Sequence, residues 1–360
     1  MRILYVANIR MPTERAHGVQ IVKTCEAFVQ KGASVVLVVP DRVTKIKEDV
    51  AAYYGLRTQF PITRVKVFDI VSWGFFGFVL ETFSFAISAV RCVRTSTAIV
   101  YSRDEVVLAF IALFTSREMV WESHTGSWNI FARYVARRAK RVVVITQGLC
   151  DLYVQKGIPK EKLIVAHDGI DLEEFQNSGS REEARMRLHL PLDAKIALYI
   201  GSIGGWKGTD TLFKASEDIA EAVIAVIGAV PPDIRARYPR VLFCGEKPYR
   251  DIARNLQAAD IVVLPSSGQS TIGAHYTSPL KLFAYMASGI PIVASEVAST
   301  REVLPHDAAF WFKSDDAVDL AHVISGALHD QSRHHKAQIA KAAVSLYTWN
   351  ERAQRILSSL

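Results

Sequence analysis

A lysine set just after an apolar run, among glycines or at a Ser-Pro helix start, is placed to hold an anion. The chain has two such lysines. In "YIGSIGGWKGTDTLFKA" an apolar run passes into a loop with Gly201, Ser202, Gly204, Gly205, Lys207 and Gly208, and then into a helical pattern. Glycines let backbone approach a ligand closely, and Lys207 can act as a point charge on phosphate. The spacing is not that of a P-loop, so an exposed lysine on a flexible turn is the plainer reading. In "YTSPLKLFAYMASGIPIVAS" the pattern predicts a helix capped by Ser278, with Pro279 at its first position and Lys281 at its third. Cations are disfavoured at a helix N-terminus, so Lys281 makes sense there if an anion such as diphosphate lies between them. The plainer alternative is a solvated lysine. Ala284 in this helix reads alone as a good helix former.

Two further stretches lie in the first half. Gly18 in "ERAHGVQIV" is placed to admit a diphosphate to the start of the first helix, or simply to make a tight turn. "WESHTG" sets Glu122 and His124 at the end of an apolar run. A ligand would meet them there, although a lone histidine is more often structural.

The elements that must carry these residues alternate. "RILYVA", "SVVLVVP", "RVKVFDI", "AIVYSR", "EMVWES" and "RVVVIT" read as strands with helices between them, the first helix ending near Gly32. Continuous apolar runs suit parallel strands covered on both faces. The pattern restarts after the polar connector 177–195, which carries a short helix, with "IALYIGS", "AVIAVIG", "VLFCG", "DIVVLPSS" and "PIVAS", and with helices near Thr209–Glu217 and Asp251–Ala258. The expected fold class is α/β: two Rossmann-like domains with parallel sheets, 1–165 and 166–345, and a final helix at about 346–360 packing back on the first. Ligands of open parallel sheets bind at the strands' carboxyl ends.

Composition narrows the partners. The 360 residues are 22% charged with a net charge of +7, which suits phosphorylated ligands or an anionic membrane surface. No RNP element or zinc-finger spacing is present, so nucleic acid is not expected. The four cysteines are widely spread and, with no cleavable signal in "MRILYVANIR", suggest a reduced cytoplasmic setting. The stretch 72–90, "SWGFFGFVLETFSFAISAV", approaches the roughly 20 apolar residues of a membrane span but carries Glu81 at its centre. It is read as a buried helix, with a membrane-surface helix led by Trp73, Phe75, Phe76 and Phe78 as the sharper alternative.

Together, "VANIRMPTERAHGVQIV", "YSRD", "WESHTG", the run from "VVVITQG" to "IDLEEF", "YIGSIGGWKGTDTLFKA", "LFCGEKPYR…DIVVLPSS" and "TSPLKLFAYMASGIPIVAS" resemble the family 4 glycosyltransferases of the GT-B fold along essentially the whole chain. The resemblance implies retaining, metal-independent transfer of a sugar from a UDP- or GDP-linked donor to a saccharide or lipid-linked acceptor, with no cofactor. It implies that Gly18, Lys207, Ser278 and the start of its helix lie near the diphosphate, that His124 faces the transferred sugar, and that Gly245–Arg250 edges the nucleobase. Ser202, Gly205, Lys281 and Ala284 complete the expected donor-side positions, with His124 and Lys207 as the expected catalytic residues. Departures stand out: Tyr276 and Ala284 replace the family's two glutamates, and Ser202 replaces an arginine. These leave open a donor-binding but catalytically impaired chain, and, less in keeping with the pattern, a GT-B sugar-nucleotide epimerase.

Overall fold

The computed structural model describes residues 1–360. The chain divides into two units, Met1–His167 with Trp349–Leu360, and Asp168–Thr348.

The first unit holds seven strands: β1 Arg2–Val6, β2 Ser34–Pro40, β3 Ile62–Val65, β4 Ile99–Ser102, β5 Met119–Ser123, β6 Arg141–Val144 and β7 Leu163–Val165. They form one sheet in the order β3-β2-β1-β4-β5-β6-β7, with every pair parallel. The central strands are buried along almost their whole length, as their unbroken apolar sequences require. The first helix, Ala16–Gln30, ends in a Schellman motif. Gly32 stands at φ +85°, its N–H bonds Val29 O and the next N–H bonds Phe28 O.

The second unit's strands are β8 Lys195–Ile200, β9 Ala222–Ile227, β10 Leu242–Phe243, β11 Ile261–Leu264, β12 Ile292–Ser295 and β13 Phe310–Phe312. They form a parallel sheet in the order β10-β9-β8-β11-β12-β13. Both sheets reverse direction at their centres, between β1 and β4 and between β8 and β11. Each reversal opens a crevice at the strands' carboxyl ends.

Two local expectations need correction. The run "RVKVFDI" does not continue as a strand past Val65. There the backbone partners are serines of the Phe75–Arg94 helix: Ser84 Oγ accepts from Phe68 N at 3.1 Å and Ser88 Oγ donates to Lys66 O at 2.9 Å. The Asp251–Ala258 helix shrinks to Ile252–Leu256, preceded by a tight 3₁₀ turn at Tyr249–Asp251. The polar connector lies within the second unit and carries a short helix. Its helix Arg181–Leu188 starts on a Ser180–Glu183 capping box, and buried Arg185 reaches Asp260 at 2.8 Å and Ala258 O at 3.0 Å.

The final helix, Trp349–Leu357, packs on the first helix of the first unit, with Arg352 Nη1 3.2 Å from Thr24 Oγ1. The Phe75–Arg94 helix is long and apolar enough to cross a membrane by length and composition. One side of it is nevertheless buried in the first unit. Glu81 has no exposed surface and accepts a hydrogen bond from Asn8 at 3.1 Å.

Candidate functional site

In the first unit the β1/β4 crevice is a cavity of about 610 Å³. The loop after β1 brings Asn8, the first turn of the Ala16–Gln30 helix brings His17, the end of β4 brings Arg103 and Asp104, and the end of β5 brings Ser123 and His124. Behind it lies a buried charge cluster centred on Glu122, which has no exposed surface. Arg352 of the final helix pairs with Glu122 at 2.9 Å, Gln20 donates to it at 2.5 Å, and Tyr101 donates to its other oxygen. His124 Nε2 lies 2.5 Å from Glu122 Oε1. Arg103 extends the network through Gln20 Oε1 at 2.7 Å.

The electrostatics follow from this packing. Burial alone would raise the Glu122 pKa, but Arg352 and the His124 contact hold it well below the usual carboxylate range. Burial, then Arg103, pushes His124 down to about 4. At neutral pH the pair is therefore carboxylate and neutral imidazole. The shared proton is on Nε2, and Nδ1 remains a hydrogen-bond acceptor. Asp104 is pushed up to about 6 by burial while its carboxylate caps the Glu105–Phe114 helix. A ligand here meets the neutral His124 imidazole and the Ser123, Thr125 and Ser127 hydroxyls beside the charged Arg103, Asp104 and Glu105, a mixed polar wall that suits a polyhydroxylated molecule.

Gly18 is not open to a ligand. It is buried, and a Cβ there would lie 2.4 Å from Tyr54 Oη and 2.5 Å from Thr13 Cγ2. Its smallness serves the packing of Tyr54, whose hydroxyl bonds the Thr13 backbone at 2.8 and 2.9 Å.

In the second unit the β8/β11 crevice gathers both lysines. Lys281 Nζ donates to Tyr199 Oη at 2.7 Å, and Tyr199 Oη in turn donates to Ser202 O at 2.8 Å. A Cβ on Gly201 would sit 2.8 Å from Lys281 Nζ, and one on Gly208 would sit 1.6 Å from Pro265 O. Only glycine lets the loops after β8 and β11 close this tightly. Gly205 is open, at φ +54° with nothing near its missing side chain. Gly245 joins the same loop cluster by accepting from Gly228 N at 3.0 Å, and Gly228 lies against Gly201 O.

Burial, then the like charge of Lys207, pushes Lys281 down to about 7, and burial also lowers Lys207. Lys207 lies 5.3 Å from the Trp206 ring and Lys281 4.0 Å from the Tyr199 ring. Neither lysine has a carboxylate partner. Two part-buried cations without an acid, one of which lowers the other's proton affinity, favour an anion between or beside them.

The other second-unit expectations change. Ser278 does not cap its helix. Pro279 is in extended geometry, so the helix begins at Leu280 and Lys281 is its second residue. Ser278 Oγ accepts instead from Asp168 N at 3.1 Å and is buried. Ala284 has no exposed surface and belongs to the apolar core with Leu282, Phe283 and Tyr285, so its methyl offers nothing to a ligand. The sequence reading also passed over the roles of Glu122, Arg352, Arg103 and Gln20. A charged residue inside the apolar run "EMVWES" was the available signal for Glu122, and nothing local marked Arg352.

No group of three or more His, Cys, Asp or Glu side chains is arranged to hold a metal ion.

Solved structures share this architecture. HepE of Anabaena, determined in complex with UDP-glucose, aligns over 100% of both chains with a TM-score of 0.77 at 18% identity. Sucrose-phosphate synthase of Thermosynechococcus elongatus aligns over 99% of this chain and 98% of its own with a TM-score of 0.79 at 16% identity. Two parallel-sheet units of this kind define the GT-B fold. The Glycosyltransferase Family 4 model matches residues 17–174, and the Glycosyl transferases group 1 model matches residues 194–330. The chain belongs to the family 4 glycosyltransferases. A D-inositol 3-phosphate glycosyltransferase of Catenulispora acidiphila is 27% identical over 62% of this chain and 57% of its own length. The sulfoquinovosyl transferase SQD2 of Arabidopsis thaliana is 25% identical over 72% and 51%. The chain spans about half the length of the curated relatives it matches.

Proposed function

We propose that the protein transfers a sugar, with retention and without a metal, from a nucleoside diphosphate sugar to a saccharide or lipid-linked acceptor. The observation that carries this reading is the Lys207–Lys281 pair at the β8/β11 crevice, two part-buried cations with no acidic partner. A diphosphate supplies the missing charge. As the glycosidic bond breaks, negative charge grows on the leaving diphosphate, and fixed ammonium groups stabilise it without reorganising. The UDP-glucose and UDP complexes of HepE support a nucleotide-sugar donor of this type. The first-unit cavity suits the hydroxylic acceptor, with His124 Nδ1 as one of its acceptors. Phe78, which lines that cavity and follows the exposed aromatics Trp73, Phe75 and Phe76, favours an acceptor with an apolar portion.

Ala284 motivates the second reading, a chain that binds donor but turns it over poorly. A thermal-shift panel of UDP- and GDP-sugars tests donor binding, because a ligand of the folded state raises the melting temperature by mass action. A rise with one donor, reduced in Lys207→Ala, is expected, and a flat panel rejects the donor reading. Transfer by the parent chain over a donor and acceptor panel, in the presence of a chelator, then separates an active enzyme from an impaired one. Interconversion of the donor with no acceptor present would favour an epimerase instead. The anomeric configuration of the product tests retention.

A further inference from the structure

The most exposed apolar surface of the first unit is one face of the Phe75–Arg94 helix. Phe76, Leu80, Phe83 and Ile87 are 78%, 52%, 39% and 49% exposed. Their spacing places them on a single helical stripe, and the stripe continues into the exposed Arg91 and Arg94. The neighbouring Glu105–Phe114 helix widens it. The Phe83 and Phe110 rings are 5.3 Å apart, and Leu113 and Phe114 are 64% and 54% exposed. The turn before the helix adds Trp73, 73% exposed. Monomeric surfaces rarely keep so many large apolar side chains together without a partner.

The basic end of this face is a structured hollow. Arg94, Phe114, Thr115, Ser116 and Arg117 line a depression of about 350 Å³. Arg94 donates to Phe114 O at 3.4 Å, and Arg117 donates to Arg94 O at 3.3 Å, so both guanidinium groups rest on neutral carbonyls. No carboxylate pairs with Arg91, Arg94 or Arg117. The two arginines and the Ser116 and Thr115 hydroxyls around one hollow present donors matched to a phosphate.

We propose that this face docks the first unit on an anionic phospholipid surface, with the aromatic stripe lying among the acyl boundary and the Arg94–Arg117 hollow receiving a lipid phosphate. The apolar stripe and the adjoining arginines have the two-sided chemistry of an interfacial helix. The helix lies on the surface and does not span it. Its other side, with buried Glu81, Phe85, Ala89 and Val93, is committed to the unit's own core. The proposal stands apart from the donor reading, since it concerns vesicle binding and needs no turnover.

Sedimentation of the full chain with vesicles tests it. Binding at low salt is expected to vesicles of phosphatidylcholine with phosphatidylglycerol, and to be much weaker to phosphatidylcholine alone. The Phe76→Ser/Leu80→Ser variant, which alters only exposed side chains, is expected to bind roughly tenfold or more weakly with an unchanged melting temperature. Arg94→Gln/Arg117→Gln is expected to lose about fivefold per arginine on anionic vesicles and little on neutral ones. Binding retained in full by Phe76→Ser/Leu80→Ser, or absent with anionic vesicles at low salt, overturns the proposal. So does self-association in light scattering that the serine variant abolishes while vesicle binding is absent, since the face then belongs to a second copy. If Arg94→Gln/Arg117→Gln binds anionic vesicles as the parent does, the phosphate hollow is refuted.

Discussion

The two crevices occupy the same topological place in their sheets and solve opposite electrostatic problems. In the first unit every charge behind the cavity is matched. Glu122 is surrounded by Arg352, Gln20, Tyr101 and His124, so the buried carboxylate is satisfied within the unit, and the wall in front of it carries charges of both signs in Arg103, Asp104 and Glu105. In the second unit Lys281 and Lys207 stand near each other without an acid, and Lys281 is pushed down to about 7. A wall that carries both signs of charge needs no ionic ligand to complete it and suits a hydroxylated one. A wall with unmatched cations needs an anion to complete it. The contrast teaches that the fold fixes where a ligand goes, and charge bookkeeping within each unit decides what sort of ligand it is.

The largest test of that contrast removes a matched charge. Arg352→Met leaves Glu122 buried without its cation and should cost about 3–5 kcal/mol. Urea unfolding would show a lower midpoint, and a variant as stable as the parent would mean that the cluster is not closed in the way described.

The next effect has the opposite sign for stability. Lys281→Met removes an unmatched buried cation, so the folded chain should be as stable or more so. Loss of its charge-assisted contact should weaken nucleoside diphosphate binding by about 1.5–3 kcal/mol, roughly 10- to 150-fold. The pH dependence sharpens this. The folded pKa of Lys281 is about 7 against an ordinary 10.5. Between these values the unfolded chain holds a proton that the folded chain has released, so stability rises with pH across that window. Diphosphate affinity should fall as pH rises above about 7, by up to tenfold per unit, because the ligand must recharge the lysine. Calorimetric titration across pH 6–9 would check both, and Lys281→Met should flatten the two profiles.

The smallest expected change is at the open loop. Gly205→Ala meets no neighbouring atom but must hold a positive φ, and should cost about 1 kcal/mol. A much larger loss on thermal unfolding would place Gly205 against something other than open space.

Much of the architecture was legible in the amino-acid order. Apolar runs such as "RILYVA" and "IALYIGS" are too continuous for half-exposed strands, so a parallel sheet covered on both faces follows directly. Lys207 and Lys281 could be picked out because each stands right beside a strand end or helix start. Other readings failed where partners are distant in the chain. Ser278 has the right type for a cap, but its hydroxyl is taken by Asp168 N, 110 residues away. Gly18 is suited to meet a phosphate, yet its space is filled by Tyr54. Phe310–Phe312 is a strand only because β12 offers it an edge.

The sequence by itself determined the element types, their alternation, the restart that makes two units, and the lysines and glycines at strand ends. Those features follow from local periodicity and from what each backbone position tolerates. Only the tertiary structure decided that Arg352 neutralises Glu122, that Ala284 faces the core, and that the two lysines share one crevice without an acid. Such pairings depend on strand register and helix packing across many residues, and no local pattern encodes which side chain arrives at the other end.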